Sequence, residues 1–321
     1  MADPLAHEAL SQGINQWIQW RETKLRTFES GDRIDLSQAN LGGMNLDGFD
    51  LSGVVLTGAH LQCAQLVGAN LSGAQLGDAK LGGANLNGAK LNGATLNVTD
   101  LTEATLMGAD LTRASLRHSN LTGINLAYAI LEDAQLDRVD LRQADLSNAR
   151  MARATLRDVL LSHATLHRLD LRQADLTDVT VNKTTSFATV QLAGARVHHM
   201  ITTPDDLPPK WSARQNTLGW SCLIGPEANL VDVNLDGISF EDCHLEGVDA
   251  STLQLESVFT DKMLSPPARC PPEWLSRPRQ DGLWEMGTVS DLLPSLGADQ
   301  RPILERFFPQ SKVQYSIVGL D

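Results

Sequence analysis

Leucine recurs at every fifth position from Leu36 to Leu176, and Val181 extends the series in the same phase. Of these thirty positions, only Met151 and Val181 carry another residue. The residue two positions earlier is usually small and apolar, and it is alanine in nineteen of the thirty units. A period of five fits neither the repeat of an α-helix nor the alternation of a β-strand. A fixed short period instead predicts a solenoid, in which each unit buries its apolar side by stacking on the next.

The spacing also predicts how the units stack. Four five-residue units would complete one turn, so that residues twenty apart in sequence would lie on top of each other. The leucines would point inward, and the alanines two residues earlier would fill the narrower space beside them. Stacked turns would lie about 4.8 Å apart, as hydrogen-bonded strands do. We therefore expect a linear aliphatic core with no cavity for a substrate.

The remaining positions of each unit would face outward. Asn or Asp often precedes the leucine, and glycine occupies the second position after it in eleven units. Short polar side chains bond to nearby backbone, and glycine tolerates tight corners. These residues therefore indicate corner geometry rather than a metal site or a phosphate-binding loop, and no GKS or GKT sequence follows the glycines.

Units such as Ala69-Asn70-Leu71, Ala84-Asn85-Leu86 and Ala144-Asp145-Leu146 resemble the tandem A(D/N)LXX units of pentapeptide repeat proteins. The resemblance covers residues 34–199 and 228–260. It implies an all-β solenoid in the form of a right-handed quadrilateral β-helix. The cap, loop and C-terminal segments outside these ranges need separate interpretation.

The N-terminal segment, residues 3–27, is predicted to form a short capping helix. Asp3 followed by Pro4 is a plausible helix start. Because the repeat begins directly afterwards at Ile34, we expect this helix to cover the exposed edge of the first turn. The alternative is an amphipathic helix that binds a membrane or a partner. Its apolar face would consist of Leu10, Ile14, Trp17 and Ile18, with Trp20 beside them.

After Val181 the repeat slips by one residue and then stops. An excursion without the repeat runs from Met200 to Gly225, and a second, shorter block of repeat units follows. The excursion then recurs 63 residues later: Met263 matches Met200, and the Leu283-Trp284 region matches Gly219-Trp220 within one residue. The central residues after the slip are Phe187, Leu192 and Val197, and those of the second block are Leu230, Leu235, Phe240, Leu245, Ala250, Leu255 and Thr260.

Aromatic residues outside the repeat are candidates for a cap or an interface. Trp211 and Trp274 end two Pro-Pro-x-Trp segments, which could be structural loops that cover a turn or paired ligand clamps. Phe307, Phe308 and Tyr315 make the C-terminal segment too apolar for a free tail. We expect that segment to cap the last turn or to form a homodimer interface.

These patterns divide the chain into five predicted segments. In order they are a helical cap, a long repeat block, a Pro/Trp loop, a short acidic repeat block, and a second Pro/Trp loop with a C-terminal cap or dimerisation element. Their predicted boundaries are 1–33, 34–199, 200–227, 228–260 and 261–321.

Negative charge is concentrated in the short block. The formal net charge is −13, yet residues 34–199 carry sixteen acids and thirteen bases, a net of −3. Between Glu227 and Asp261 there are nine acids and no base. Such a surface repels nucleic acid and attracts a basic partner, although it could also serve only solubility. The candidate partner-binding residues are Asp232, Asp236, Glu241, Asp242, Glu246, Asp249 and Glu256.

The sequence contains no catalytic motif, so we predict a protein without catalytic, cofactor or metal sites. His118, His163 and His167 lie at outward positions without thiolate or carboxylate partners that would mark a metal site. The four cysteines form no CxxC pair and are interpreted as reduced thiols, although a Cys222–Cys270 bridge could join the two loops. With no secretory signal and no long apolar run, a cytoplasmic location is expected.

Three functions fit these features, and a rigid protein–protein interaction scaffold is favoured. The second is a DNA mimic that binds a type II topoisomerase such as gyrase, as the resemblance to quinolone-resistance proteins of the family implies. Leucine rather than phenylalanine at the central position departs from those relatives. The third is a secreted bacterial effector or its immunity partner.

Overall fold

A computed structural model describes most of the chain, in two compact units. Unit 1 comprises Met1–Pro209 and Gly219–Leu223, and unit 2 comprises Lys210–Leu218 and Ile224–Asp321. The described residues are 3–27, 29, 32–200, 202–231, 233, 235, 238–253, 255, 258, 260, 262–269, 274–279 and 282–288.

Unit 1 is built from parallel pairing between residues twenty apart. Asp35 pairs with Val55, Asn40 with His60, and the series continues to Leu160 paired with Thr180. The Leu36 N–H donates to the Val55 carbonyl at 2.7 Å, and equivalent bonds recur along the stack. Each twenty-residue coil therefore has four short bridges and four turns, in agreement with the stacking predicted from the five-residue period.

The inward positions form the core that the sequence predicts. None of the thirty side chains from Leu36 to Val181 is more than 2% exposed. The alanines two residues earlier are buried as well, for example Ala69, Ala84 and Ala144. Burial of one leucine side chain contributes about 2 kcal/mol before entropy is subtracted, so the stack is held by many small, similar contributions.

The predicted one-residue slip lengthens the last coil of unit 1. Asp170 pairs with Gln191, and strand β1 (Asp175–Thr177) pairs in parallel with strand β2 (Arg196–His198) at a separation of 21 residues. Thr185 is fully buried in the inward position before Phe187. The core continues through the slip with Phe187, Leu192 and Val197, none more than 2% exposed.

Two helices precede the stack instead of the single predicted helix. Helix α1 covers Pro4–Ser11, with Asp3 as its N-cap accepting a hydrogen bond from the Leu5 N–H, and helix α2 covers Ile14–Leu25. Gly13 separates them with a φ of 101°, a conformation that glycine adopts readily. The predicted apolar face is also divided: Leu10 and Trp17 are buried, whereas Ile14 and Ile18 are exposed.

The helices supply hydrogen-bond donors to the first coil, which has no preceding coil to bond. The Asp3 N–H donates to the Asp35 carbonyl, and the His7 Nε2 lies 3.0 Å from the Asn40 carbonyl. The Trp17 Nε1–H donates to the Asp50 carbonyl at 2.8 Å, and Arg21 donates to the Ser52 carbonyl. These contacts lie along the edge of the first coil that the N-terminal segment is expected to cover. No helix among the described residues is long and apolar enough to span a membrane.

Unit 2 buries six of the seven predicted central residues of the short block, and the seventh, Thr260, is half-buried. Leu230, Leu235, Phe240, Leu245, Ala250 and Leu255 are at most 4% exposed. Residues 263–269 pair in parallel with this block, through His244 with Ser265 and Asp249 with Arg269. Strands β3 (Ser212–Gln215), β5 (Trp274–Pro278) and β6 (Trp284–Thr288) also belong to unit 2, whereas β4 (Ser221–Ile224) lies mostly in unit 1. Strands β5 and β6 form an antiparallel hairpin.

The 63-residue internal duplication extends to individual hydrogen bonds. Met200 pairs antiparallel with Ser221 in unit 1, and Met263 pairs antiparallel with Trp284 in unit 2. The Phe187 N–H donates to the Asp206 carbonyl, and the Ala250 N–H donates to the Arg269 carbonyl. Gly219 and Gly282 both have a φ of 84°, so the match is in register rather than displaced by one residue.

Candidate functional site

The residue type at the corners of unit 1 changes from mostly glycine to mostly other residues halfway along the stack. Each corner is formed by the second residue after an inward leucine or Met151, that is, residues 38, 43, 48 and so on to 178. At all of these corners φ lies between 54° and 70°. Ten glycines and five other residues occupy these corners between 38 and 108. Between 113 and 178 there are one glycine, Gly123, and thirteen other residues. The second half of the stack therefore presents side chains where the first half presents mostly glycine.

Stability does not account for this change. An L-residue in the left-handed region costs about 1–2 kcal/mol relative to its favoured conformations, and glycine avoids this cost. The compensation available here is pairing between coils, such as Arg138 with Asp158 at 3.7 Å. An exposed ion pair of this kind contributes about 0–1 kcal/mol. Because the cost equals or exceeds the gain, pairing between coils does not by itself account for side chains at these strained corners.

We expect Tyr128→Gly to stabilise the protein. Tyr128 has a φ of 61° and an exposed side chain. Glycine removes the strain but gains freedom in the unfolded chain, which leaves a net stabilisation of about 0.5–1 kcal/mol. Urea unfolding measures the change, and Tyr128→Ala is the matched control because alanine loses the ring but keeps the strain. Equal stability of the glycine and alanine variants would contradict the strain.

One row of stacked corners borders a cleft of about 690 Å³. Its corner residues follow one another along the stack, from His118 through Arg138, Asp158 and Asp178 to His199. Beside them lie Arg117, Asp137 and Arg157, and Thr180 and Trp220 complete the lining. The cleft thus combines three guanidinium groups, three carboxylates, two imidazoles and an indole on one side of unit 1.

Ion pairs between coils order the charged groups of the cleft. The Arg117 Nε lies 3.1 Å from the Asp137 Oδ2, and the His199 Nδ1 lies 3.3 Å from the Asp178 Oδ1. The Asp137 Oδ1 is buried and has no hydrogen-bond donor. The Trp220 ring lies against His199, with 5.5 Å between ring centroids.

Behind the cleft, Asp175 is held by two arginines. The Arg157 Nη2 lies 2.7 Å and the Arg196 Nη2 lies 2.6 Å from the Asp175 Oδ2, and the Thr177 hydroxyl donates to Oδ1. Burial alone would raise the pKa of Asp175, but the hydrogen bonds from Arg196, Thr177 and Arg157 outweigh it and lower the pKa to about 2. Asp175 therefore keeps its charge at any pH near neutral.

His198 lies next to this cluster and is held neutral. Its Nε2 lies 2.9 Å from the Thr177 hydroxyl oxygen, while its Nδ1 is buried without a partner. Burial, followed by the nearby His199 and Arg196, lowers the pKa of His198 to about 4. A second proton on this ring would be buried without an acceptor.

Mild acid is expected to weaken unit 1 through His198. Because the folded-state pKa of about 4 lies below the ordinary value of 6.5, the unfolded chain binds more protons between these values. The neutral imidazole thus contributes fully above pH 6.5, and its contribution falls towards pH 4, by about 3 kcal/mol in total. Urea unfolding across this range should show less loss for His198→Gln than for the natural chain. His167→Gln, at an exposed position, is the control, and parallel curves for all three proteins would refute the assignment.

Three acidic residues of the short block form ion pairs with lysine or arginine residues from outside this block. Glu241 pairs with Lys262 at 3.1 Å, Glu246 with Lys210 at 2.6 Å, and Asp249 with Arg269 at 3.5 Å. The hydrogen bond from Lys210 lowers the pKa of Glu246. Asp242 is exposed. The remaining predicted residues of this surface, Asp232, Asp236 and Glu256, lie outside the described residues.

Of the aromatic residues predicted to form a cap or an interface, only the two tryptophans lie in the described part of the chain. The half-buried Trp211 ring lies on Gly225, where an added Cβ would come within 2.5 Å of the indole. Whether the Pro/Trp segments are structural loops or ligand clamps stays a prediction. Trp274 begins strand β5. Phe307, Phe308 and Tyr315 lie outside the described residues.

The histidines and cysteines do not converge on a reaction centre in the described part of the chain. His118, His163 and His167 project from three different corners, and His163 and His167 lie near Asn182 and Thr189 respectively. No group of three or more His, Cys, Asp or Glu side chains there could hold a metal ion. Cys63 is exposed and Cys222 and Cys243 are buried, whereas Cys270, the other half of the suggested bridge, lies outside the described residues.

Comparison with protein families identifies the repeat. The family described as pentapeptide repeats (8 copies) matches four times, over residues 34–73, 69–108, 104–143 and 140–178, which lie within the stacked coils. A pentapeptide repeat protein from the Arabidopsis thaliana thylakoid lumen is 34% identical over 31% of this chain and 69% of its own, with a TM-score of 0.30. The chain belongs to the pentapeptide repeat family.

Other pentapeptide repeat proteins of known structure show lower identity. HetL, involved in heterocyst differentiation regulation in the cyanobacterium Nostoc sp. strain PCC 7120, is 25% identical over 77% of this chain and 95% of its own, with a TM-score of 0.45. Full-length QnrB1, a plasmid-mediated fluoroquinolone resistance protein, is 21% identical over 49% of this chain and 90% of its own, with a TM-score of 0.30. No curated protein matches the chain.

The cleft of this pentapeptide repeat protein was not predicted from its sequence. The sequence shows sixteen acids and thirteen bases in residues 34–199 but not which of them lie together, and Trp220 falls in the excursion outside the repeat. The informative signal was the loss of glycine at the second position after leucine beyond residue 108, which can be read directly in the sequence.

Proposed function

We propose that the protein is a non-catalytic scaffold that binds another protein through outward side chains of unit 1. The observation that carries this proposal is the replacement of corner glycines by strained, exposed side chains between residues 113 and 178. The aliphatic core supports it, because the side chains at the inward positions from Leu36 to Val181 are at most 2% exposed and carry no catalytic groups. Four bridges and four turns per coil further support a right-handed quadrilateral β-helix as the rigid frame.

Photo-crosslinking in cells of the source organism tests this function with the full-length protein. A photoreactive amino acid would replace one corner residue at a time: Asp158, Asn148, Gln143 and Arg153 in the second half, and Gly88 in the first half as a control. We expect a discrete protein adduct from at least one second-half position and none from Gly88. Absence of an adduct at all four second-half positions would overturn the scaffold function.

Binding to a type II topoisomerase is the weaker candidate. A DNA mimic needs a strongly negative surface, and the acidic block is the candidate, but Glu241, Glu246 and Asp249 each pair with a lysine or arginine. The effective negative charge of this surface is therefore smaller than its sequence implies. We expect micromolar concentrations of the purified protein to leave the supercoiling activity of gyrase unchanged. Inhibition of gyrase, or protection from a quinolone, would reverse the order of the two candidates.

A further inference from the structure

We propose that the cleft beside His118, Arg138, Asp158 and Asp178 binds an extended segment of a protein partner that carries one basic and one acidic side chain. The inference rests on the proposed scaffold function and assigns it a surface and a class of ligand. The basic side chain would lie near Trp220, and the acidic one near Arg117 and Arg138.

The order of charges along the stack defines the two ends of the cleft. Two arginines, Arg117 and Arg138, and one aspartate, Asp137, line its N-terminal end, whereas two aspartates, Asp158 and Asp178, and one arginine, Arg157, line its C-terminal end. Arg138 and Asp158 are 3.7 Å apart and about two-thirds exposed, so solvent or a partner reaches both groups. A ligand with a single sign of charge would be attracted at one end and repelled at the other.

The C-terminal end has the components of a site for a cationic side chain. Trp220 and the carboxylates of Asp158 and Asp178 line the same cleft. Half of the Asp178 side chain is exposed, although one of its oxygens contacts His199. An aromatic face beside carboxylates favours lysine or arginine, because the ring quadrupole and the negative charges attract the same cation.

The N-terminal end has the components of a site for a carboxylate. Arg117 uses its Nε toward Asp137, and a guanidinium group carries further N–H donors. The exposed Arg138 guanidinium adds further N–H donors to the same cleft. Together Arg117 and Arg138 offer donors that can bind a carboxylate.

The balance of charges favours a polypeptide over nucleic acid. Three arginines and three aspartates line the cleft, so its formal charge is zero with neutral histidines. A phosphate backbone would place repeated negative charges against Asp137, Asp158 and Asp178. A segment with both signs of charge can meet each end with its complement.

Titration with defined peptides tests the inference on the full-length protein. The probe is a short Gly/Ser peptide with one arginine and one glutamate separated by three residues, and two control peptides each have one charged residue replaced by glutamine. Binding is followed by the NMR shift of the Trp220 indole N–H, which Trp220→Phe assigns. We expect a dissociation constant of about 1 mM for the doubly charged peptide, and about fivefold weaker binding of either control peptide.

Variants of the cleft should separate its two ends. Asp158→Asn with Asp178→Asn should abolish the preference for arginine, and Arg138→Gln should abolish the preference for glutamate. The matched control is Asp133→Asn with Arg153→Gln, which removes a similar pair between coils at the neighbouring corner. Thermal unfolding by circular dichroism checks that each variant remains folded. Equal losses in the cleft and control variants, or no saturable shift of Trp220 with any peptide, would overturn the inference.

The crosslinking experiment separates this inference from the scaffold function. An adduct from Asn148, Gln143 or Arg153 but not from Asp158, with no peptide binding, would leave the scaffold standing and remove the cleft. No adduct from any corner, with peptide binding intact, would remove the scaffold function and leave a cleft that recognises peptides.

Discussion

Replacing Leu136 with aspartate is expected to destabilise unit 1 by more than about 4 kcal/mol, which should unfold the centre of the stack. Leu136 is fully buried, and it occupies the same inward row as Leu116 and Leu156, twenty residues before and after it. The substitution removes a large aliphatic side chain and introduces a carboxylate among aliphatic neighbours. Urea unfolding followed by far-ultraviolet circular dichroism measures the effect.

Gln135→Asp is the matched control for Leu136→Asp. Gln135 precedes Leu136 and is exposed, so the same charge is added one residue away but on the outer surface. We expect this variant to change the free energy of unfolding by less than about 0.5 kcal/mol. If both variants unfold at the same urea concentration, the inward assignment of the leucine row is wrong.

Trp17→Ala is expected to cost about 3–5 kcal/mol and to promote self-association. Trp17 is fully buried, and its Nε1–H donates to the Asp50 carbonyl on the edge of the first coil. The variant loses both the packing of the indole and this donor. An uncovered coil edge then presents backbone groups that can pair with another chain. Thermal unfolding and analytical ultracentrifugation measure the two effects.

Two substitutions separate the contributions of Trp17. Ile18→Ala changes an exposed neighbour and should leave both the melting temperature and the mass unchanged within error. Trp17→Phe keeps an aromatic ring but lacks the N–H, so it should lie between alanine and the natural residue. A monomeric Trp17→Ala variant with unchanged melting would show that α2 does not protect the edge.

The repeat could be predicted because the residue type at each position indicates whether that position is buried or exposed. Leucine at Leu36, Leu41 and every fifth residue onward requires an apolar setting, and a period of five admits few ways to provide it. The slip after Val181 was visible for the same reason, and β1 with β2 confirms it at a separation of 21 residues.

Features that depend on contacts between distant residues could not be predicted from the sequence in this way. Ile14 and Ile18 have the spacing of a buried face, but Gly13 turns the chain and leaves them exposed. Glu246 has no base nearby in sequence, yet it meets Lys210, 36 residues earlier. The cleft joins side chains of several coils with Trp220 from the excursion, so its composition follows from tertiary structure.

The 21-residue separation between the paired residues Asp170 and Gln191 shows that one coil of the solenoid can be longer than its neighbours. The extra residue lies between Val181 and Phe187, while the rows on either side keep their pairing. Because each coil touches only those directly above and below, a change of chain length remains local. Such tolerance permits whole segments to leave at a corner and return, and so new surface can be added without rebuilding the column beneath it.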